Sequence, residues 1–249
     1  MAHQEVALPL ALPSTEKHYM TLSREGPLFI LHLHNKDNRF TTEVCKAIIH
    51  ALQVVEDTFL AQKEPTEMAL ITVGDGKFFS NGLDVAHARE YIPFMDSYLT
   101  MLKKLLTFTI PTVAALNGHA FAGGCMLALA HDYRVMRTER GFMCMNEIDI
   151  KAPLHPGMNA LLRYKTTPKT LRALVLQGYR FNSDEALAAD LVDEICPEKE
   201  LMATAKKLAL KWAPKAKAGI VYRQLKEELS TDTIRLLSVP YNRLESSRL

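Results

Sequence analysis

Thr112-Val113-Ala114-Ala115-Leu116-Asn117-Gly118-His119-Ala120-Phe121-Ala122-Gly123-Gly124-Cys125-Met126 is the stretch on which the reading of this chain turns. Its first five residues form an apolar run that reads as a strand. The glycines that follow permit a sharp turn into a helix from Gly123 or Gly124 to Ala130. Without a Cβ at such a turn, backbone N–H groups can approach a ligand atom, and free amides at a helix start favour negative charge. About forty residues earlier, Lys77-Phe78-Phe79-Ser80-Asn81-Gly82-Leu83-Asp84 repeats the arrangement after the apolar run Met68 to Val73. Taken singly, each is also an ordinary glycine turn. As a pair they can aim the N–H groups of Leu83 and Gly123 at one point, which is the construction of an oxyanion hole.

Outward from these turns the chain alternates strand and helix. Leu28 to His34 reads as a strand and Thr42 to Gln62 as an amphipathic helix with Val44, Ile48, Leu52, Val55 and Phe59 on one stripe. A helix is expected around Phe94–Thr107, ended near Pro111, and a further strand at Tyr133–Met136. Repeated units of this kind imply an α/β core. From about Glu198 onward the periodicity is helical, with Leu201, Ala205, Leu208, Trp212 and then Ile220 to Leu229.

The 249 residues are 48% hydrophobic and carry a net charge of +2 from 30 basic and 28 acidic residues without a long basic block, which argues against nucleic acid as the main partner. No apolar run reaches the roughly 18–20 residues of a membrane span. Cys45, Cys125, Cys144 and Cys196 are scattered and no His cluster has metal spacing, so neither a disulfide nor a metal is expected. Dinucleotide and phosphate-loop fingerprints are absent, as is a G-x-S-x-G elbow, and Ser80 has no recognisable base. Asp132, just before the strand at Tyr133, reads as tying down a turn. The last three residues, Ser247-Arg248-Leu249, are a variant of a C-terminal peroxisomal address, making a peroxisomal import receptor the expected partner; otherwise the chain is expected in the cytoplasm.

The two glycine stretches, with Ile110-Pro111 leading into the second, resemble the enoyl-CoA hydratase/isomerase (crotonase) superfamily. Ser183-Asp184-Glu185-Ala186-Leu187-Ala188-Ala189-Asp190-Leu191-Val192-Asp193-Glu194-Ile195 is similar to that family's helix-turn-strand before its C-terminal helices. The resemblance runs from about Leu28 to the end. It implies an α/β fold with a crotonase-like spiral of β-β-α units over residues 1–197 and a C-terminal helical module, for trimerisation or as a lid, over 198–249. It further implies a homotrimer or hexamer and an acyl-CoA thioester as ligand, its oxygen held by Leu83 and Gly123. The CoA part would follow the backbone of Phe79, Ser80, Asn81, Gly82 and Leu83, with Asp84, Gly124 and Met126 also at the site. Coenzyme A is then part of the substrate and no separate cofactor is expected.

By the same resemblance the carboxylates discriminate among chemistries. Hydratases of the family grip a water between two glutamates; the first position is Met126 here, which can neither accept a proton nor orient a water. The second matches Glu147 in Phe142-Met143-Cys144-Met145-Asn146-Glu147-Ile148-Asp149-Ile150, a loop with one extra residue. A single glutamate is similar to the Δ3-Δ2-enoyl-CoA isomerases, particularly the plant peroxisomal type with its Phe-Phe-Ser-Asn-Gly and Arg-Gly-Phe signatures. Shifting a double bond from C3–C4 to C2–C3 requires one base that takes a C2 proton and returns it at C4. The apolar neighbours Phe142, Met143, Met145, Ile148 and Ile150 are expected to desolvate Glu147 and raise its pKa. Asp149 is the reserve acid, as water-holder in a hydratase. The same scaffold is also compatible with thioester hydrolysis, with decarboxylation, or with acyl-CoA binding without turnover. His119, His131, Cys125 and Cys144 read as structural, and Met126, Met143, Met145 and Met158 as either pocket or core.

Overall fold

Each turn of this chain lays down one long strand, one short strand and helical cover. The computed structural model describes residues 7–13 and 18–241. An antiparallel meander, β1 (Leu10–Leu12), β2 (Met20–Glu25) and β3 (Leu28–Leu33), leads into α1 (Thr42–Leu60), whose N-terminus is capped by the Thr41 hydroxyl accepting from the Val44 amide at 3.3 Å. The next unit is β4 (Ala69–Gly74), the short β5 (Phe78–Ser80), α2 (Val85–Glu90) and α3 (Phe94–Leu106). It is followed by β6 (Thr112–Leu116), β7 (His119–Phe121) and α4 (Gly123–Ala130), then β8 (Tyr133–Arg137), β9 (Met143–Cys144) and α5 (Pro156–Lys165). The chain closes with α6 (Pro168–Gln177), α7 (Ser183–Ala188), β10 (Glu194–Cys196), α8 (Leu201–Trp212), α9 (Ile220–Leu229) and α10 (Thr231–Leu237).

The long strands form one seven-stranded sheet in the order β1-β2-β3-β4-β6-β8-β10, parallel from β3 onward, and the short ones a second parallel sheet, β5-β7-β9. The period-two alternation of β3 and β4 explains why the large sheet is buried on both faces. Phe29, Leu31, Leu33 and Leu70 join the core under α1, α3 and α4, while Leu28, Ile30, Ala69, Ile71 and Val73 face the other way. That second face is covered by Leu201, Ala205, Leu208 and Ala209 of α8. The helical C-terminal region therefore begins as a layer of the main fold, and α10 continues it by packing on α5 and α3.

The expected strands and long helices are present with ends shifted by one or two residues. The sequence does not reveal β1 and β2, nor the two- and three-residue strands β5, β7 and β9, which are too short for a period to show. Residues 247–249, with the expected targeting tripeptide, lie outside the described residues. Among the described residues no helix is long and apolar enough to cross a membrane, and no group of three His, Cys, Asp or Glu side chains is arranged to hold a metal ion.

Candidate active site

The small sheet decides where the site is. Its three strands are parallel, so the segments that follow them, from Asn81, Ala122 and Met145, leave at the same edge. Ligand sites of parallel sheets collect at that carboxyl edge. Both glycine turns and the loop with Glu147, separated in sequence, are thereby brought together.

The glycines fix how closely the two turns approach. A Cβ on Gly124 would fall 2.1 Å from the Ser80 carbonyl oxygen, and one on Gly82, whose φ is +77°, would fall 2.8 Å from the Phe121 oxygen and 3.0 Å from the Gly123 nitrogen. The backbones are thus in contact at positions where only glycine fits. Ser80 ties the first turn down, donating to the Asn38 carbonyl at 2.6 Å and accepting from the Gly82 amide at 3.2 Å. The amides of Leu83 and Gly123 donate to no protein group among the described residues, and Gly123 opens α4, where the helix dipole adds positive potential.

Two features at Gly123 are not legible in sequence. Ala122 holds φ +49° and ψ −118°, a strained conformation for a residue with a Cβ, fixed by its amide donating to the Cys144 carbonyl at 2.9 Å. Tyr98, fully buried on α3, donates its hydroxyl to the Gly123 carbonyl at 2.8 Å. Strain and clamp together set the orientation of the second turn. Their only sequence signal is that Ala122 precedes a glycine pair.

Glu147 lies in a wound turn between β9 and α5, its carbonyl accepting from the Ala152 amide at 2.9 Å. Its Oε2 is sealed from solvent and accepts no hydrogen bond. Burial pushes the carboxyl up to about 7. The apolar shell is only partly the expected one: Met143 and Met145 are fully buried, whereas Phe142, Ile148 and Ile150 are exposed. Phe142 stacks on His119 instead, with ring centroids 5.6 Å apart. The wound turn also carries Asp149 away, exposed and beside Gly178, so the reserve acid does not share the space of Glu147.

That space is a cavity of about 550 Å³. Leu83 and Ala122 line it with Glu147, which is its one acid among the described residues. Asn81 lines it too, its side chain bonded to Asp37 at 3.2 Å. Phe79 and Met126 are fully buried in the core and Gly124 is packed under Ser80, so these residues shape the site from behind. Asp84 caps α2, accepting from the His87 amide at 3.0 Å. Arg39, Arg89 and Lys151 stand at the cavity, and Met95, Met158, His155 and Tyr241 complete its wall. Apart from Met158, sequence does not single these residues out, because no spacing links them to the glycine turns; only the tertiary fold gathers them. His131 is fully buried with its ring nitrogens against the Leu127 carbonyl and the Thr72 hydroxyl, each at 2.8 Å, in keeping with a structural histidine.

Comparison with known proteins bears on the family and the fold. The profile of the family described as "Enoyl-CoA hydratase/isomerase" matches residues 25–242. The chain is 33% identical to enoyl-CoA delta isomerase 3 of Arabidopsis thaliana, over 92% of this chain and 99% of that protein. It is also 33% identical to the peroxisomal enoyl-CoA delta isomerase 2 of the same plant, over 88% and 95%. The carnitinyl-CoA dehydratase of Salmonella typhi is 30% identical over 83% of this chain and 80% of that protein. Among solved structures, an enoyl-CoA isomerase of Mycobacterium tuberculosis superposes with a TM-score of 0.79 at 20% identity, covering 88% of this chain and 94% of that one, which shows the shared fold. The chain belongs to the enoyl-CoA hydratase/isomerase family, the crotonases.

Proposed function

We propose that this protein is a Δ3-Δ2-enoyl-CoA isomerase acting in the oxidation of unsaturated fatty acyl chains. The observation that carries the reading is the single carboxylate of the cavity among the described residues, Glu147, with Oε2 unpartnered and its pKa raised to about 7, in a space also lined by Leu83 and Ala122, while the Leu83 and Gly123 amides donate to no described protein group. A hydratase needs two groups to hold its water; here Met126 is buried in the core and Asp149 faces elsewhere.

In the proposed reaction the thioester oxygen of a 3-enoyl-CoA accepts from the Leu83 and Gly123 N–H groups. Glu147 removes a C2 proton, the electron pair moves into a dienolate whose charge rests on that oxygen, and the protonated Glu147 delivers the proton to C4. No water enters and no atom is lost. Each amide contributes about 3–4 kcal/mol where the enolate forms, because its stabilisation is greater for the oxyanion than for the neutral carbonyl. Burial that raises Glu147 makes it a stronger base and lets it hold the proton between the two transfers. Arg39, Arg89 and Lys151 supply the positive charge for the CoA phosphates.

Incubation with 3-hexenoyl-CoA and, separately, 2-hexenoyl-CoA tests the reading. Conjugation appears only in the first mixture if the protein is an isomerase. Loss of the conjugated signal from the second would instead mean hydration and overturn it. We further propose a homotrimer or hexamer, supported by the exposed Ile220, Val221, Leu225 and Leu229 on α9, to be measured by light scattering. Peroxisomal import through Ser247-Arg248-Leu249 is supported by the peroxisomal plant relatives, and a tagged chain that stays in the cytosol would refute it.

A further inference from the structure

The cavity has a direction. Its lining passes from exposed residues to fully enclosed ones: Val85 is 42% exposed and Ile150 53%, and charged Arg89 and Lys151 are exposed beside them, whereas Met95 is 6% and Met158 4% exposed. Leu83, Ala122 and Glu147 share the same lining. The enclosed end is apolar even where a polar residue stands. His155 lies there almost wholly buried, but its Nδ1 accepts from the Gly157 amide at 3.0 Å and its Nε2 meets the Val239 carbonyl at 3.2 Å.

That end is closed by the segment after α10. Val239 is held by His155, and the Tyr241 amide donates to Asp96 at 2.9 Å. A Cβ on Gly157 would fall 2.7 Å from the Leu237 Cα, so α10 rests directly on the start of α5 with no space to slide. Met158, the residue after that contact, and Met95, at the start of α3, therefore meet a fixed wall. Neither is branched, and each can be shortened or widened without introducing a polar atom.

We propose that this closed end receives the alkyl tail of the acyl thioester and that Met158 and Met95, backed by the clamped Val239–Tyr241 segment, set the longest tail accepted. The inference rests on the acyl-CoA reading but not on isomerisation. An apolar tail fits because each methylene leaves water for methionine and alanine side chains, roughly fourfold in affinity per group, until it reaches the wall. The charged mouth cannot serve this purpose, since its cations remain solvated.

The test uses saturated acyl-CoAs of even chain length from four to fourteen carbons, which bind without turning over. Their dissociation constants are measured calorimetrically for the full-length wild type, Met158→Ala, Met95→Ala and Met158→Phe. Affinity is expected to rise with length and then break. The break should move out by about two carbons in either alanine variant, with roughly tenfold tighter binding of the first length past the wild-type limit, and should move inward in Met158→Phe. Should Met158→Ala fail to fold, Met95→Ala and Met158→Phe still read the wall from two sides. An unchanged break in folded variants overturns the inference while leaving the isomerase reading intact. Shifted breaks without conversion of 3-hexenoyl-CoA uphold it and sink the isomerase reading. If no acyl-CoA binds at any length, both fall.

Discussion

Glu147 and Asp132, both carboxylates mostly screened from water, have opposite fates. Burial raises the pKa of both; at Glu147 only a hydrogen bond from its own backbone opposes it, and the group stands at about 7 with Oε2 unpartnered. At Asp132, between α4 and β8, burial is outweighed by Lys226 at 2.8 Å, by Lys165, and by the Thr112 amide at 2.9 Å, which hold the carboxyl below its usual range. Tyr222 and Lys226 reach Asp132 from α9, so this second acid fastens the C-terminal helices to the sheet. An acid that burial leaves unsatisfied is available for chemistry; one that its surroundings satisfy is structure. Burial by itself distinguishes nothing, and the partners decide.

The largest expected effect comes from removing the unsatisfied acid. Glu147→Gln should lower kcat for 3-enoyl-CoA isomerisation roughly 10⁴-fold, about 5 kcal/mol of transition-state stabilisation, while KM changes little and thermal stability does not fall. A near wild-type rate would assign the proton transfer to another group. The satisfied acid should answer in the reverse sense. Lys226→Met strips Asp132 of its nearest cation and should cost about 3–5 kcal/mol of stability, read as a lower midpoint in urea, with the surviving folded protein keeping most of its turnover. If Lys226→Met instead abolished turnover without loss of stability, the distinction between the two sites would be wrong.

The pH dependence of stability separates them further. Glu147 has a folded pKa of about 7 against an ordinary 4.5, so its folded form holds the proton more tightly. Its contribution is intact below about pH 4.5, is lost as pH rises to 7, and stays lost above that, by up to about 3 kcal/mol. His131 runs the other way: kept neutral by burial with its pKa lowered to about 4 from 6.5, it makes the fold weaker as pH falls through that window. The two trends oppose each other in the wild type. Glu147→Gln removes the first, so it should match the wild type near pH 4 and melt higher by on the order of 5–10 °C at pH 8. If Glu147 is the base as proposed, kcat/KM should also rise with pH up to about 7 as its base form appears. A stability difference independent of pH would mean that Glu147 is not desolvated in the native protein.

Much of this is legible from residue order. Gly82 and Gly124 mark the turns because a Cβ would fall 2.8 Å from the Phe121 oxygen at the first and 2.1 Å from the Ser80 oxygen at the second, and a requirement of that kind is written in one residue. The apolar strands and the stripe on α1 can be read because both faces of the sheet and the inner side of the helix are buried. What does not show is whatever depends on distant segments meeting. Arg39, Met95, His155 and Tyr241 come from four places in the chain and carry no common spacing. Asp149 and Ile148 point away from where an extended segment would put them because the backbone winds there, with the Ile150 amide returning to the Asn146 carbonyl at 3.4 Å. Asp132 ties down a turn through Thr112, as its place before a strand suggests; its link to Lys226, ninety-four residues away, is beyond local pattern.

The smallest expected effect probes whether backbone strain belongs with the unsatisfied acid or with the satisfied one. Ala122 keeps φ +49° against the cost of its Cβ, and glycine adopts that conformation freely. Relief of strain favours the folded state of Ala122→Gly by about 1 kcal/mol, but glycine also gains freedom in the unfolded chain by a similar amount. Stability should therefore change by less than about 1 kcal/mol in either direction, which a urea midpoint resolves. Turnover is the sharper readout. With glycine's freer backbone at 122, the Gly123 amide should occupy a wider range of orientations and kcat should fall a few-fold at unchanged KM, because the amide matters most where the proposed enolate forms. A drop in stability as large as that of Lys226→Met, with kcat unaltered, would place Ala122 among the structural contacts and leave the orientation of Gly123 to Tyr98 alone.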